Sequence, residues 1–288
     1  MLSELFAEKS MSVRRLKTSW LEAGERGQPV LFFCHGFPDG PDIWRHQIEA
    51  LAKDYRIVAP YVRGCESSEP AEELRRYGRD AVVLDHLAIL AETTNGNEPV
   101  ICIGHDLGVV HAFTFGRKIG DRLAGLVVIN GLDIEMFVRR LRDPAQVARS
   151  WYMGFMQMPW LPEACAKWAP NTASWLAQSL AGGVPETVSI SQFEHRTVAP
   201  LNQYRAFARE SLSANTVTAR IKAPVLVIWG RDDGVLMAPT QAEWDRVALD
   251  STIRIIPGGH WLHRDHHSAV TSFIKNFVKN LIGDKQDV

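Results

Sequence analysis

The chain reads as an α/β protein with a mostly parallel central sheet, helices on both faces and an inserted all-helical cap. Three observations predict it. Short apolar, β-branched runs alternate with stretches of helical period, at the spacing of strand–helix–strand units. That alternation stops near residue 134 and resumes near residue 218. Between them no convincing strand occurs, and four of the nine tryptophans cluster there: Trp151, Trp160, Trp168 and Trp175. A core domain is therefore expected over 1–133 and 218–288, and a helical cap over 134–217. Such an insert would lie over the carboxyl ends of the strands, where ligands bind in open parallel sheets. Its aromatics would suit the ceiling of an apolar pocket.

Residues 12–23 pattern as a short hairpin, and Pro29-Val30-Leu31-Phe32-Phe33-Cys34 as a buried strand. That strand opens into the turn-rich loop His35-Gly36-Phe37-Pro38-Asp39-Gly40-Pro41, followed by an amphipathic helix near 43–53. Arg56-Ile57-Val58-Ala59-Pro60 is the next strand, and 77–94 carries a helix period ending at Asn95-Gly96. A strand over 100–105 with its following helix and the strand Leu126-Val127-Val128-Ile129 complete the first half. Beyond the insert come the strand 224–229, a helix near 238–249, the strand 252–256 and a C-terminal helix over 266–282.

The composition narrows the function. A hydrophobic share of 46% suits a folded core and a net charge of −1 offers no electrostatic case for nucleic acid. Cys34, Cys65, Cys102 and Cys165 form no CxxC pair, so neither a disulfide framework nor a zinc site is suggested. Residues 1–17 carry scattered charges and no apolar core of a signal peptide, and no run approaches the ~18 apolar residues of a membrane span. A soluble, cytoplasmic protein without membrane insertion is the expectation, and a homodimer is left open.

The chemistry centres on Gly104-His105-Asp106-Leu107-Gly108, where an apolar strand meets a helix pattern. Gly-x-nucleophile-x-Gly at that junction is a nucleophile elbow, a tight turn that exposes the middle side chain at the end of a parallel sheet. Here that residue is Asp106, a carboxylate that would attack a carbon electrophile and leave an enzyme ester to be hydrolysed. The hydrolysis needs a base. His260, in Pro257-Gly258-Gly259-His260-Trp261, is the last candidate in chain order. Trp229-Gly230-Arg231-Asp232-Asp233 supplies a carboxylate to orient it. Asp233 is favoured because this loop type places the acid three residues after its glycine; Asp133 is the weaker alternative. His263, His266 and His267 are expected on an exposed first turn of the last helix rather than on a metal.

His35-Gly36-Phe37-Pro38, Trp44 and Gln47, Ala59-Pro60 with Arg63-Gly64, Gly104-His105-Asp106 and Gly259-His260-Trp261 together resemble the α/β-hydrolase-fold epoxide hydrolases. The resemblance spans nearly the whole chain. It implies an oxyanion hole from the backbone N–H groups of Phe37 and Leu107, and two cap tyrosines that protonate the epoxide oxygen. Trp151-Tyr152-Met153-Gly154-Phe155 is similar to the first tyrosine segment, and Leu201-Asn202-Gln203-Tyr204-Arg205 to the second. Pro38, His105, Trp151 and Trp261, which flank these groups, are expected to line the substrate pocket. The substrate implied is an apolar or aromatic epoxide, attacked without cofactor or metal and opened to a vicinal diol with water.

Three positions depart from the family: Leu107 stands in place of a common tryptophan, Tyr61 of an aspartate and Val109 of a small residue. The last predicts slightly looser packing of the elbow helix. Two other functions are open to the same scaffold, a dehalogenase using the same triad and a non-catalytic ligand sensor. Leu107 carries neither the indole N–H that grips a halide nor the guanidinium that grips a haloacid, which turns the reading towards epoxides.

Overall fold

The computed structural model describes residues 6–169, 199–213 and 219–283. The chain enters through an antiparallel hairpin, β1 (Ala7–Val13) and β2 (Leu16–Ala23). Arg14 and Arg15, at φ of 52° and 69°, make its two-residue turn, whose twist suits a hairpin. The hairpin starts five residues earlier than the expected 12, because β1 is an edge strand with an exposed, unpatterned sequence. Next come β3 (Val30–Cys34), β4 (Arg56–Pro60), β5 (Val100–His105), β6 (Leu123–Ile129), β7 (Val225–Gly230) and β8 (Ser251–Ile256). They join one eight-stranded sheet in the order β1-β2-β4-β3-β5-β6-β7-β8, parallel from β4 to β8.

Period-2 alternation splits the strands into two cores. Val30, Phe32, Cys102, Val128 and Val227 face helices α2 (Arg79–Thr93) and α3 (Leu107–Ile119). Leu31, Phe33, Ile101, Ile103, Val127 and Ile129 face the opposite way. They meet Ile48 and Leu51 of α1 (Arg45–Leu51) and Val270, Ile274 and Val278 of the C-terminal helix His267–Gly283. Every strand residue of β3, β4 and β5 is buried, so these strands read as continuous apolar runs.

The insert between β6 and β7 holds α4 (Ile134–Arg140), α5 (Pro144–Arg149), α6 (Trp151–Gln157), α7 (Leu161–Trp168) and α8 (Leu201–Ser213). Among its described residues there is no strand. One stripe of α8 docks on the core. Asn202 hydrogen-bonds the Tyr77 hydroxyl, Ala206 packs with Ala71 and Tyr77, and the Glu210 carboxylate accepts the Arg79 N–H at 3.2 and 3.4 Å. These residues are four apart, hence on one helix face. Glu210 thereby satisfies a free donor at the start of α2. Arg205 ties α8 to α6 and α7, donating to the Met156 and Met158 carbonyls and pairing with Glu163 at 2.7 Å.

After β7 the chain forms α9 (Gln241–Trp244), and after β8 come a short turn of helix, α10 (Leu262–Asp265), and the long C-terminal helix α11 (His267–Gly283). The helix expected over 238–249 is thus confined to four residues. Its C-terminal half is drawn into a bridge instead: Ile221 N–H donates to the Val247 carbonyl and Leu249 N–H to that of Ile221.

Candidate active site

The elbow lies where β5 passes into α3. Asp106 adopts φ 51° and ψ −127°, a conformation sparsely populated by side-chain-bearing residues, which surrounding packing must hold. A Cβ on Gly108 would lie 2.2 Å from the Cys34 carbonyl oxygen, and one on Gly36 would lie 2.6 Å from Asp106 Cβ. Those two glycines let β3, its loop and α3 close around the carboxylate. Phe37 N–H donates to Asp106 Oδ2 at 3.1 Å, and the Leu107 N–H hydrogen-bonds the same carboxylate. Val109 corrects the expectation of loose packing. It is fully buried against Gly131, where a Cβ would come within 2.4 Å of Val109 Cγ2, so a small residue on the neighbouring loop makes room for a larger one on the helix.

His260, on the loop after β8, reaches both carboxylates. Its Nδ1 lies 3.0 Å from Asp233 Oδ2 and its Nε2 3.5 Å from Asp106 Oδ1. An ionised carboxylate only accepts, so Nδ1 carries the hydrogen towards Asp233. Asp233 also accepts the N–H groups of Val235 and Leu236 at 2.7 and 3.0 Å and the Asn130 amide at 2.6 Å. Asp232 is exposed, and Asp133 caps α4 and pairs with Arg117 at 2.8 Å, away from the imidazole. Burial raises the pKa of Asp106 and Asp233, but their hydrogen bonds and the imidazole's charge outweigh it and hold both below the ordinary carboxylate value. Burial likewise works to lower that of His260, yet the two aspartates carry it up to about 10.

Tyr152 on α6 and Tyr204 on α8 are brought together beside the carboxylate. Their rings lie 6.0 Å apart at 85°, their hydroxyls hydrogen-bond, and Tyr204 packs edge-on against Phe37 at 5.0 Å. Leu201, Met153 and Met156 complete this apolar cluster. Burial, then the charge of Asp106, pushes both phenols above their usual pKa, so both stay protonated donors at neutral pH.

The expected pocket lining needs correction. Pro38 is half-buried on the Phe37 loop. Trp151 is 56% exposed, because Tyr152, Met153 and Met156 take the inward face of α6 and the residue before them turns outward. Trp160 and Trp168 are 72% and 82% exposed, so these aromatics form no ceiling; Trp175 lies outside the described residues. His105 and Trp261 are buried beneath the site, where His105 bonds the His260 carbonyl and Trp261 bonds Asp39. His263 is also corrected: it is fully buried, its ring 4.4 Å from that of Trp44 and 4.2 Å from that of His105, while His266 is exposed. Among the described residues no group of three or more His, Cys, Asp or Glu could hold a metal ion.

Sequence reasoning missed Asn130 and Asp39. Asn130, at φ 42° after β6, donates to Asp233 and accepts the Gly230 N–H at 3.1 Å. A buried amide ending an apolar strand, just before Gly131, was the available signal. Tyr61 leaves its loop anchored by other means. The guanidinium of Arg63 makes a two-pronged pair with Asp85 at 2.5 and 2.8 Å and also reaches the Arg76 and Ala81 carbonyls.

Phe37, Asp106, Asp233 and His260 follow strands β3, β5, β7 and β8 at the carboxyl edge of the parallel part of the sheet, and the family model for the alpha/beta hydrolase fold matches residues 29–174. The chain belongs to the α/β-hydrolase fold family. Within it, the chain is 29% identical to epoxide hydrolase 4 of Mus musculus over 282 residues, covering 92% of this chain and 77% of that protein. It is 28% identical to epoxide hydrolase A of Mycobacterium tuberculosis over 322 residues, covering 95% and 98%. Among solved structures, a Bacillus megaterium epoxide hydrolase in complex with an inhibitor aligns with a TM-score of 0.77 at 22% identity, over 94% of this chain and 100% of the other. Epoxide hydrolase A of Mycobacterium thermoresistibile aligns with a TM-score of 0.78 at 24% identity, over 95% and 98%. Both solved structures speak to the hydrolase fold. No helix among the described residues is long and apolar enough to cross a membrane.

Proposed function

We propose that this α/β hydrolase is an epoxide hydrolase working through a covalent ester on Asp106. The observation that carries the reading is a pair of protonated, mutually hydrogen-bonded phenols beside a strand-end carboxylate. An epoxide needs both: a nucleophile for its carbon and an acid for the oxygen released as the ring opens. Relatives named epoxide hydrolases over more than 90% of this chain support it.

Asp106 Oδ2 accepts the Phe37 N–H, so Oδ1, which faces the His260 imidazole at 3.5 Å, is the oxygen that attacks. It forms a bond to one epoxide carbon as the carbon–oxygen bond of the ring breaks. Tyr204 and Tyr152 donate to the departing oxygen, giving a hydroxyalkyl ester. Esterification removes one of the two charges that hold the imidazolium proton, so the pKa of His260 falls from about 10 and a neutral base appears only after the first step. His260, oriented by Asp233, then takes a proton from water, whose oxygen adds to the Asp106 carboxyl carbon. The negative charge develops on Oδ2, where the Phe37 and Leu107 N–H groups receive it, each donor worth about 3–4 kcal/mol. Collapse breaks the ester carbon–oxygen bond, and the diol oxygen leaves with the second proton of the added water. Asp106 returns as a carboxylate, and the proton that His260 released on esterification restores the phenol. The helical insert, as a cap, contributes both phenols and an apolar Met153, Met156 and Leu201 wall for a non-polar substituent.

Halide chemistry has no comparable support, since Leu107 offers no side-chain donor. The test is one turnover in oxygen-18 water at enzyme excess over a styrene oxide or aliphatic epoxide substrate. The diol should leave unlabelled, having taken its oxygen from Asp106, and the label should appear in the Asp106 peptide. Fully labelled first-turnover diol would mean direct attack by water and end the covalent scheme.

A further inference from the structure

His105 is fully buried, and its Nε2 lies 3.0 Å from the backbone carbonyl oxygen of His260. A carbonyl only accepts, so Nε2 carries hydrogen and donates. The other nitrogen, Nδ1, faces Asp39 Oδ2 at 3.5 Å. That same carboxylate accepts the Trp261 indole N–H at 3.1 and 3.2 Å. His105 at the end of β5 is thereby tied to His260 on the loop after β8, and Asp39 on the loop after β3 ties down Trp261, the next residue. These are the three segments that present Phe37, Asp106 and the imidazole. His105 Nδ1 has no hydrogen-bond partner among the described residues.

The geometry points to His105 as the positioning residue that sets where the His260 imidazole stands between Asp233 and Asp106. This rests on the epoxide-hydrolase reading. The hydrogen bond to Asp233 fixes one ring atom, but the ring's approach to Asp106 also follows the backbone that carries it. Gly258, at φ 134°, and Gly259 precede His260 and give that backbone freedom; Asp232 holds it at Gly258, and His105 holds it at the carbonyl of His260 itself. The His105 ring lies 4.8 Å from the imidazole at 51°. Trp261, held by Asp39, flanks the imidazole from another side at 5.3 Å and 86°. Because the base works only on the ester, loss of the tether slows the second half-reaction and spares the first.

The experiment compares His105→Phe, which keeps a ring and loses the donor, with His105→Gln, which loses the ring and keeps a donor near the Nε2 position. In rapid-quench single turnovers, His105→Phe should hydrolyse the ester roughly 10- to 100-fold more slowly, the penalty for a displaced catalytic group. Its ester formation should stay within about twofold of the parent rate, and His105→Gln should recover most of the loss. The reverse order, with Phe tolerated and Gln impaired, would make His105 a packing residue and overturn the assignment. His105→Leu, which also lacks a donor, serves if His105→Phe does not fold. It should slow ester hydrolysis to a similar extent, and a parental rate there would overturn the tether. The deshielded Nδ1–H proton resonance of His260 gives a readout that needs no substrate. It should shift in His105→Phe and return in His105→Gln. If the parent enzyme forms no ester with any epoxide, the proposed function falls, and this resonance still decides the tether: unchanged in His105→Phe, it refutes the inference.

Discussion

Replacing Tyr204 by phenylalanine isolates the acid proposed for ring opening. The substitution removes one oxygen and leaves the ring, so the edge-on contact with Phe37 at 5.0 Å and the burial of the site persist. The hydroxyl also gives up its bond to Tyr152, worth about 1 kcal/mol of stability at most. Chemistry loses more. A donor aimed at developing oxyanion charge in a water-poor site contributes about 3–4 kcal/mol, a factor of ~10²–10³. Tyr152 remains as a second donor, so the single variant should lose roughly 10- to 100-fold in ester formation, and Tyr152→Phe combined with Tyr204→Phe about 10³-fold or more. Ester hydrolysis, which uses His260 and the backbone donors, should be unchanged in both. Rapid-quench kinetics with mass spectrometry of the Asp106 peptide separates the two rates. A double variant that forms ester within about threefold of the parent, or a loss that falls on hydrolysis instead, would refute the role of the phenols.

The other predictions concern the supports of the site. The folded-state pKa of His260 is raised from 6.5 to about 10, so its stabilisation is complete below about 6.5 and is lost as pH rises through about 10. Denaturation midpoints should therefore fall across that window, and Asp106→Asn should flatten the slope by removing one of the two charges; an unaltered slope would count against the pairing. Asn130→Ala leaves the buried Gly230 N–H without its acceptor and takes from Asp233 Oδ2 one of its donors, leaving it the His260 Nδ1–H. It should cost about 2–4 kcal/mol in urea unfolding and lower turnover. Glu210→Ala removes the acceptor at the start of α2 and should cost about 1 kcal/mol, with Glu210→Gln costing less; equal thermal midpoints for the parent and Glu210→Ala would disprove the cap.

What the sequence determined by itself was everything that travels locally along the chain. Apolar runs such as Val30–Cys34 and Val225–Gly230 mark strands buried on both faces, and the Gly-x-Asp-x-Gly turn marks the strand end that carries the proposed nucleophile. The order of strands and loops then puts Asp106, Asp233 and His260 on the same edge of a parallel sheet, because every parallel strand delivers its following loop there. Local signals were weakest where no period exists, as in the exposed edge strand β1 and the shortened helix after β7.

Tertiary structure alone decided which neighbours hold those groups. Asn130 meets Asp233 across 103 positions and His105 meets the His260 carbonyl across 155, and no spacing rule links residues that far apart. The direction of each side chain on the insert was decided the same way. Trp151 and Tyr152 are adjacent in sequence and equally aromatic, yet about 100° of helix rotation sends one to solvent and the other to Tyr204. Which of them turns inward depends on where α8 docks, through Asn202, Ala206 and Glu210, and that contact exists only once the core has formed.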